Sequence, residues 1–345
     1  MEKGCKYGTH RVLEPRGVLP QPALRISNDM TIYDNEILIE VQTLNIDSAS
    51  FTQIKEEAGG DMERIKERIC GIVSAYGKHK NPVTGSGGML IGAVSQIGSA
   101  LAGKTDLKVG DKIATLVSLS LTPLVVEEIL ALRPEVDQVD IKGKAILFES
   151  GLYAKLPEDL PQTLSLALLD VAGAPAQTAR LVRPGDTVLV IGGGGKSGML
   201  CLYEAKKRAG VTGHVICLQP TEAERDRILK VGLADTYLTA NATDAVEVLR
   251  QIEAVTQGRL CDLTINCVNV PDTEMASILA TRDGGLVYFF SMATSFTKAA
   301  LGAEGVGKDL TMMIGNGYTK GHAETTLQLM RESPALRRIY EELYA

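Results

Sequence analysis

No stretch of the chain approaches the roughly 20 consecutive apolar residues of a membrane helix. Met1 to Arg11 lacks the apolar core of a secretory signal, so a cytoplasmic location is expected. No basic block occurs and the net charge is −6, which argues against a nucleic-acid or anionic-membrane partner. The six cysteines (Cys5, Cys70, Cys201, Cys217, Cys261, Cys267) include no C-x-x-C pair. That spacing supports neither a zinc ribbon nor a redox dithiol, and reduced thiols are expected. Only four histidines occur, His10, His79, His214 and His322, and surface or structural roles are expected for each. There is no internal repeat and no low-complexity segment.

What is present is an ordinary globular composition, 45% hydrophobic and 23% charged, in 345 residues. That length suggests about two domains. One stretch organises the rest. Thr187-Val188-Leu189-Val190-Ile191, an unbroken apolar run after Pro184-Gly185-Asp186, is predicted as a strand buried on both faces. Gly192-Gly193-Gly194-Gly195-Lys196-Ser197-Gly198 follows, and then Met199 to Lys207 has helical composition. A strand, a glycine turn and a helix are what a dinucleotide pyrophosphate requires, because bare backbone and free N–H groups must face the anion. Two registers fit: Gly193, Gly195 and Gly198 satisfy G-x-G-x-x-G, while Gly192, Gly195 and Gly198 are equally spaced. Gly195-Lys196-Ser197 resembles the end of a Walker motif, but Val190 stands where its first glycine is needed, which excludes a P-loop.

The front of the chain is strand-rich. Glu36 to Leu44 alternates apolar and polar residues, Met89 to Gly98 and Val109 to Val117 are predicted strands, and Asp61 to Ala75 has helical spacing. Asn45 to Thr52 is polar and short-chained and is expected to be a loop carrying chemistry. Asn81 to Gly88 is a second glycine-rich turn. Beyond Pro161, Leu164 to Leu181 is predicted helical. Strands 215–218, 262–268 and 285–290 then alternate with helices 221–231, 244–255 and 271–280, the pattern of a doubly wound parallel sheet. The tail from His322 to Tyr344 is predicted as two helices broken near Ser333-Pro334.

This order of motifs resembles the medium-chain dehydrogenase/reductase superfamily over nearly the whole chain. Val109-Gly110-Asp111-Lys112-Ile113, Gly92 to Gly98 and Pro184 to Gly198 carry the resemblance. It implies an α/β fold, a Rossmann doubly wound parallel sheet inserted in a partly open β-barrel (GroES-like) catalytic domain. The implied division is a catalytic domain at 1–160, a dinucleotide-binding domain at 161–312 and a return to the catalytic domain at 313–345. Four segments resemble one family within it, the L-erythro-3,5-diaminohexanoate dehydrogenases of anaerobic lysine fermentation: Lys6 to Val12, Tyr33 to Ile39, Thr43 to Lys55 and Asn81 to Gly88. That implies NAD(P)-dependent oxidative deamination of a diamino acid by a homodimer. The alternatives from other classes are a zinc-free quinone or enone reductase, and an NADPH-binding redox sensor without turnover.

Against zinc-dependent relatives, Asp47 stands for the catalytic Cys and Ser86-Gly87 for a His-Glu pair. Ser and Gly supply no imidazole, so no metal is expected. An amine substrate arrives protonated and yields a hydride only as the neutral amine, so a base or a path to water must stand beside it. The expected catalytic set is Asp47 as base or ion-pair partner, with Ser48, Ser50, Thr52 and Ser86 as relays or hydrogen-bond partners. Tyr7, Arg11, Lys55 and Lys80 are the candidates for the substrate carboxylate. The expected cofactor-binding residues are Gly193, Gly194, Gly195, Lys196, Ser197 and Gly198 at the pyrophosphate, with Gln219 and Arg225 near the ribose. Val268, Asn269, Ser291 and Met292 are expected at the nicotinamide. The strand tip Leu218-Gln219-Pro220-Thr221 has no acid, which favours NADP, with NAD as the alternative.

Overall fold

The computed structural model describes residues 1–315 and 317–344, and the chain divides into two compact units, 1–166 and 167–345.

In the first unit, β1 (Val12–Glu14) and β2 (Arg25–Ile26) form a small antiparallel pair. The main elements are β3 (Glu36–Ile46), α1 (Ser48–Glu57), α2 (Met62–Tyr76), β4 (Gly88–Ile97), β5 (Lys112–Thr115), β6 (Leu124–Arg133), β7 (Gln138–Phe148) and β8 (Tyr153–Lys155). Six strands make one antiparallel sheet in the order β6-β7-β3-β4-β5-β8. A bulge in the middle of β3 sets the register of the site. Ile37, Ile39 and Val41 face the core, the pairing with β4 and β7 shifts between Val41 and Thr43, and the core positions become Leu44 and Ile46. One extra residue reverses the in–out alternation and bends the strand, so β3 ends with Ile46 inside and Asp47 at the rim.

The stretch 47–52, expected as a loop, is mostly helix. Asp47 is the N-cap of α1, and Ser50, Phe51 and Ile54 are the buried face. Apolar contacts of Phe51, Ile54 and Ala58 with the sheet core outweigh the loop-like composition of the first turn. The helix predicted over 61–75 is α2, capped by Asp61 and stopped by Gly77 at φ 72.

α3 (Gln162–Asp170) spans the division between units. The second unit continues with α4 (Gly173–Leu181), β9 (Thr187–Ile191), α5 (Lys196–Ala209), β10 (His214–Gln219), α6 (Arg225–Val231), β11 (Thr236–Thr239), α7 (Ala245–Thr256) and β12 (Cys261–Asn266). It ends with α8 (Glu274–Ala280), β13 (Thr281–Phe289), α9 (Phe296–Val306), β14 (Thr311–Ile314), α10 (His322–Glu332) and α11 (Pro334–Tyr344). All pairings in its sheet are parallel, in the order β11-β10-β9-β12-β13-β14. The order reverses between β9 and β12, the topological switch point at which such sheets take a ligand. Val188 to Ile191 are fully buried, as expected for the central strand.

Two boundaries differ from expectation. The helix predicted over 164–181 is broken at Val171-Ala172 into α3 and α4. Residues 313–345, expected to return to the first domain, group with the second unit. There Thr326 Oγ1 donates to the Ala172 carbonyl at 3.1 Å, and the buried Tyr340 hydroxyl donates to the Lys196 carbonyl. Among the described residues no helix is long and apolar enough to cross a membrane.

Candidate functional site

The candidate residues fall into two sets, one in each unit. In the second unit the loop after β9 resolves the roles of the glycines. Gly192 makes the tight turn at φ 80, and a Cβ there would meet Val268 Cγ2 at 2.7 Å, across the switch point. Gly198 lets α5 pack on the loop, since a Cβ would fall 2.1 Å from the Gly192 carbonyl oxygen. Gly195, the N-cap of α5, meets only that oxygen, at 3.5 Å, so the space over it is open. Turn, open approach and close packing therefore fall on Gly192, Gly195 and Gly198, the equally spaced register, and Gly192 joins the expected set. Gly193 is small for another reason: a Cβ would meet Cys217 Sγ at 2.6 Å. The N–H groups that open α5 (Lys196, Ser197, Gly198) precede its hydrogen-bond ladder, the arrangement that suits an anion. Open backbone at Gly195 beside a helix start fits a dinucleotide pyrophosphate.

Lys196, expected at the pyrophosphate, pairs through its ammonium with Asp170 at 2.6 Å. Gln219 is buried at the end of β10, its Nε2 2.2 Å from where a Gly194 Cβ would lie. The Glu224 side chain also approaches Gly194, with Cγ 2.9 Å from that position. Arg225 binds Glu222 at 2.9 Å and lies over the Tyr237 ring. Val268 adjoins Gly192, while Asn269 and Met292 are exposed and the Ser291 hydroxyl accepts the Ala293 N–H at 3.1 Å.

The residue that organises these last positions was missed. Asn266 is fully buried; its carbonyl accepts from Phe290 and Ser291, and its Oδ1 accepts from Val268 N–H at 3.1 Å. Its Nδ2 donates to Thr273 Oγ1 at 2.9 Å and Ser277 Oγ at 3.0 Å. Asn266 thus ties the ends of β12 and β13 together. The only sequence signal was an amide inside an apolar strand.

In the first unit, α1 and the 81–88 loop bring three hydroxyls together. Ser50 Oγ lies 2.5 Å from Ser86 Oγ and 2.6 Å from Thr84 Oγ1, and Thr84 and Ser86 are 3.1 Å apart. Ser50 is buried because it lies on the inner face of α1. Asn81, also buried, shapes the loop. Its Oδ1 accepts from Val83 and Thr84 N–H, and its Nδ2 donates to Gln53 Oε1 at 2.8 Å and to the Ser50 carbonyl at 3.3 Å. Thr84 and Asn81 were not among the expected residues; the Asn-Pro dipeptide signalled a turn and nothing more.

Asp47 Oδ2 accepts the Gly87 N–H at 3.0 Å, which places the carboxylate one residue from Ser86. Ser48 Oγ donates instead to Asp137, and Thr52 is exposed on α1, so neither belongs to the hydroxyl cluster. A Cβ at Gly87 would meet the Ser120 N atom at 2.5 Å, leaving no room for the Glu that zinc-dependent relatives carry. Among the described residues no three His, Cys, Asp or Glu side chains gather as a metal site.

Of the carboxylate candidates, Arg11 is committed to Glu36 and Lys80 donates to the Gln21 carbonyl at 3.1 Å. Tyr7 and Lys55 remain exposed. His79 is fully buried, and burial lowers its pKa to about 4.

A family model described as the L-erythro-3,5-diaminohexanoate dehydrogenase N-terminal domain matches residues 10–157. A protein named L-erythro-3,5-diaminohexanoate dehydrogenase from Acetoanaerobium sticklandii is 65% identical over 342 residues, covering 99% of each chain. The chain belongs to the L-erythro-3,5-diaminohexanoate dehydrogenase family. A second protein of that name, from Fusobacterium nucleatum, is 61% identical over 344 residues and covers 100% of both chains. Solved structures of the same fold include the CurK enoyl reductase (TM-score 0.56, 15% identity, 93% of this chain and 86% of that one). An alcohol dehydrogenase from Thermotoga maritima matches with TM-score 0.54 and 17% identity, over 89% of this chain and 85% of that one. A third relative, a mycobacterial protein solved with NADPH (TM-score 0.53, 17% identity), matches over 86% of this chain and 80% of that one. The protein is an amine dehydrogenase, and its fold is the one these solved structures share.

Proposed function

We propose that the protein oxidatively deaminates L-erythro-3,5-diaminohexanoate at its 3-amino group, giving 5-amino-3-oxohexanoate and ammonium. The observation that carries the reading is the Asp47 carboxylate fixed by the Gly87 N–H beside a cluster of three hydroxyls. A nicotinamide dinucleotide held over Gly192, Gly195 and Gly198 would supply the hydride acceptor. The protein's own residues manage protons. Asp47 takes a proton from the arriving ammonium so that the nitrogen lone pair is available, and Ser86 receives a hydrogen bond from the amine. After hydride loss leaves an iminium, Asp47 passes its proton to solvent, and the regenerated carboxylate takes a proton from the attacking water and returns it to the nitrogen as ketone and ammonium form.

The cofactor in this reading is NAD. The sequence favoured NADP because the strand tip bears no acid, but Glu224 reaches Gly194 from α6 and Arg225 is occupied by Glu222. A carboxylate at that point repels a 2′-phosphate and suits a ribose hydroxyl. A homodimer through the nucleotide-binding units is the expected assembly. It is supported by the outer edge of β14 and by exposed Phe296, Leu301 and Ile314.

The test is formation of reduced cofactor with 3,5-diaminohexanoate by the wild type and by Asp47→Asn. The expected result is turnover by the wild type and a loss of about 10²-fold or more in kcat for the variant. Full activity of Asp47→Asn with an unchanged pH profile removes Asp47 from the mechanism.

A further inference from the structure

The three hydroxyls of Ser50, Thr84 and Ser86 close a ring, with oxygen–oxygen contacts of 2.5, 2.6 and 3.1 Å. Each hydroxyl carries one proton and two lone pairs. Three contacts consume three protons, so the ring has none left to give a ligand. What remains is lone pairs. Thr84 spends its second one on the Ser86 N–H at 3.4 Å, and Ser50 is fully buried. Ser86, partly exposed, is left with an outward lone pair. One residue further on, the Gly87 N–H holds the Asp47 carboxylate, a second acceptor. The start of α1 opposes this with a partial positive charge of roughly half an elementary charge. Against it stands the Asp47 carboxylate, a further acceptor fixed beside the ring by the Gly87 N–H.

We propose that this ring makes the site accept hydrogen bonds only, so that it holds a primary ammonium and disfavours a ketone or carboxylate, and that Thr84 sets this polarity. The inference rests on the proposed reaction and extends it to the fate of the product. The substrate's 3-ammonium donates to Ser86 and Asp47, whereas the 3-oxo product brings only an acceptor and loses its hold on the site. Thr84 is a positioning residue: it fixes the direction of the Ser86 proton. Without its hydroxyl, Ser50 and Ser86 share one contact between two protons, and Ser86 becomes free to donate outward.

The test is calorimetric titration of the enzyme–NADH complex, in buffer free of ammonium, with 3-aminobutanoate and with 3-oxobutanoate. Neither ligand reacts under these conditions. The wild type is expected to bind the amine at least about tenfold more tightly than the ketone. Thr84→Val is expected to lose most of that preference and Thr84→Ser to keep it. Equal binding by the wild type, an unchanged preference in Thr84→Val, or a Thr84→Ser variant that behaves like Thr84→Val overturns the proposal. Wild-type turnover of 3,5-diaminohexanoate separates the two levels. If turnover is present and the preference does not move, only the ring's role is lost; if turnover is absent, the proposed reaction itself fails.

Discussion

The Arg11 guanidinium meets the Glu36 carboxylate at two points, Nε to Oε1 at 2.7 Å and a terminal nitrogen to Oε2 at 2.6 Å. Both side chains are buried, and Arg11 spends two further donors on the Asp29 and Thr31 carbonyls. His10 Nδ1 accepts the Cys5 N–H, so its other nitrogen carries the proton and donates to Glu36. The N-terminal segment is thereby pinned to the first strand of the sheet.

Removing one partner of such a pair strands a buried charge. Glu36→Ala is expected to destabilise the first unit by about 3–5 kcal/mol. The pH dependence has a definite sign. Burial raises the Glu36 pKa, but hydrogen bonds from Arg11, His10 and the Tyr33 N–H outweigh it and bring it down to about 2. A carboxylate depressed on folding adds stability above its unfolded pKa of 4.5 that is lost as pH falls towards 2. Urea denaturation followed through the core amides of residues 1–166 checks both. A Glu36→Ala midpoint equal to the wild type's would refute the pinning role.

His79 produces an earlier acid transition. It is fully buried with neither ring nitrogen in good hydrogen-bonding geometry, and its pKa falls from 6.5 to about 4. The unfolded chain therefore binds a proton below pH 6.5 that the native one refuses until pH 4, so stability declines across that window. Between about pH 7.5 and about pH 5 the loss is about 2 kcal/mol, and His79→Gln is expected to abolish it. The same urea series reads the difference. A His79→Gln variant that loses stability as steeply as the wild type over this interval rules the assignment out.

The glycine loop separates a folding requirement from a binding one. Gly198→Ala drives a Cβ into the Gly192 backbone carbonyl at 2.1 Å, and is expected to lower the thermal midpoint as well as cofactor affinity. Gly195→Ala meets nothing closer than 3.5 Å and is expected to fold with an unchanged midpoint. Its methyl group then occupies the approach of the pyrophosphate, so NAD affinity is expected to drop by about tenfold or more. Titration of both variants with NADH, beside their melting curves, distinguishes the effects. Normal NADH affinity in Gly195→Ala would mean that the pyrophosphate lies elsewhere.

How much of this was legible in the sequence depended on whether a signal was local. The run from Thr187 to Gly198 declares a buried strand, a turn and a helix by composition alone, and β9 and α5 lie there. Leu124–Arg133, rich in Leu, Glu and Val, gave no usable signal; it is a strand because it pairs along its length with β7. The switch from loop to helix at Ser48 is likewise tertiary, since it depends on Phe51 and Ile54 reaching the sheet core. Among the candidate residues, Asp47 and Ser86 were expected from positions matched in the resemblance and Ser50 from its polar run, and the structure brings Ser50 and Ser86 together. Asn81 and Thr84 escaped because an Asx turn has the same composition whether or not it aims a hydroxyl. Asn266 escaped because its partners, Thr273 and Ser277, belong to the following loop and helix.

The proposed preference for NAD rests on the same kind of non-local contact. Reading the tip of β10 alone leaves Gln219 and no acid, whereas in the fold the Glu224 side chain, at the N-cap of α6, approaches Gly194. Tyr237 supports it from β11, its hydroxyl donating to the Thr221 carbonyl at 2.6 Å and standing 3.5 Å from Glu224 Oε2. A carboxylate held there penalises a 2′-phosphate by like-charge repulsion and accepts a ribose hydroxyl. Glu224→Ala is expected to narrow the kcat/KM ratio of NAD to NADP by about tenfold, equivalent to about 1.4 kcal/mol. Most of the change is expected in KM, because the ribose contact is the same in ground and transition states. Glu222→Ala is the control that frees Arg225 without touching Gly194, and it is expected to improve NADP modestly while leaving NAD alone. If Glu224→Ala leaves the ratio where it was and Glu222→Ala moves it, discrimination belongs to Arg225 and not to the acid beside the glycine turn.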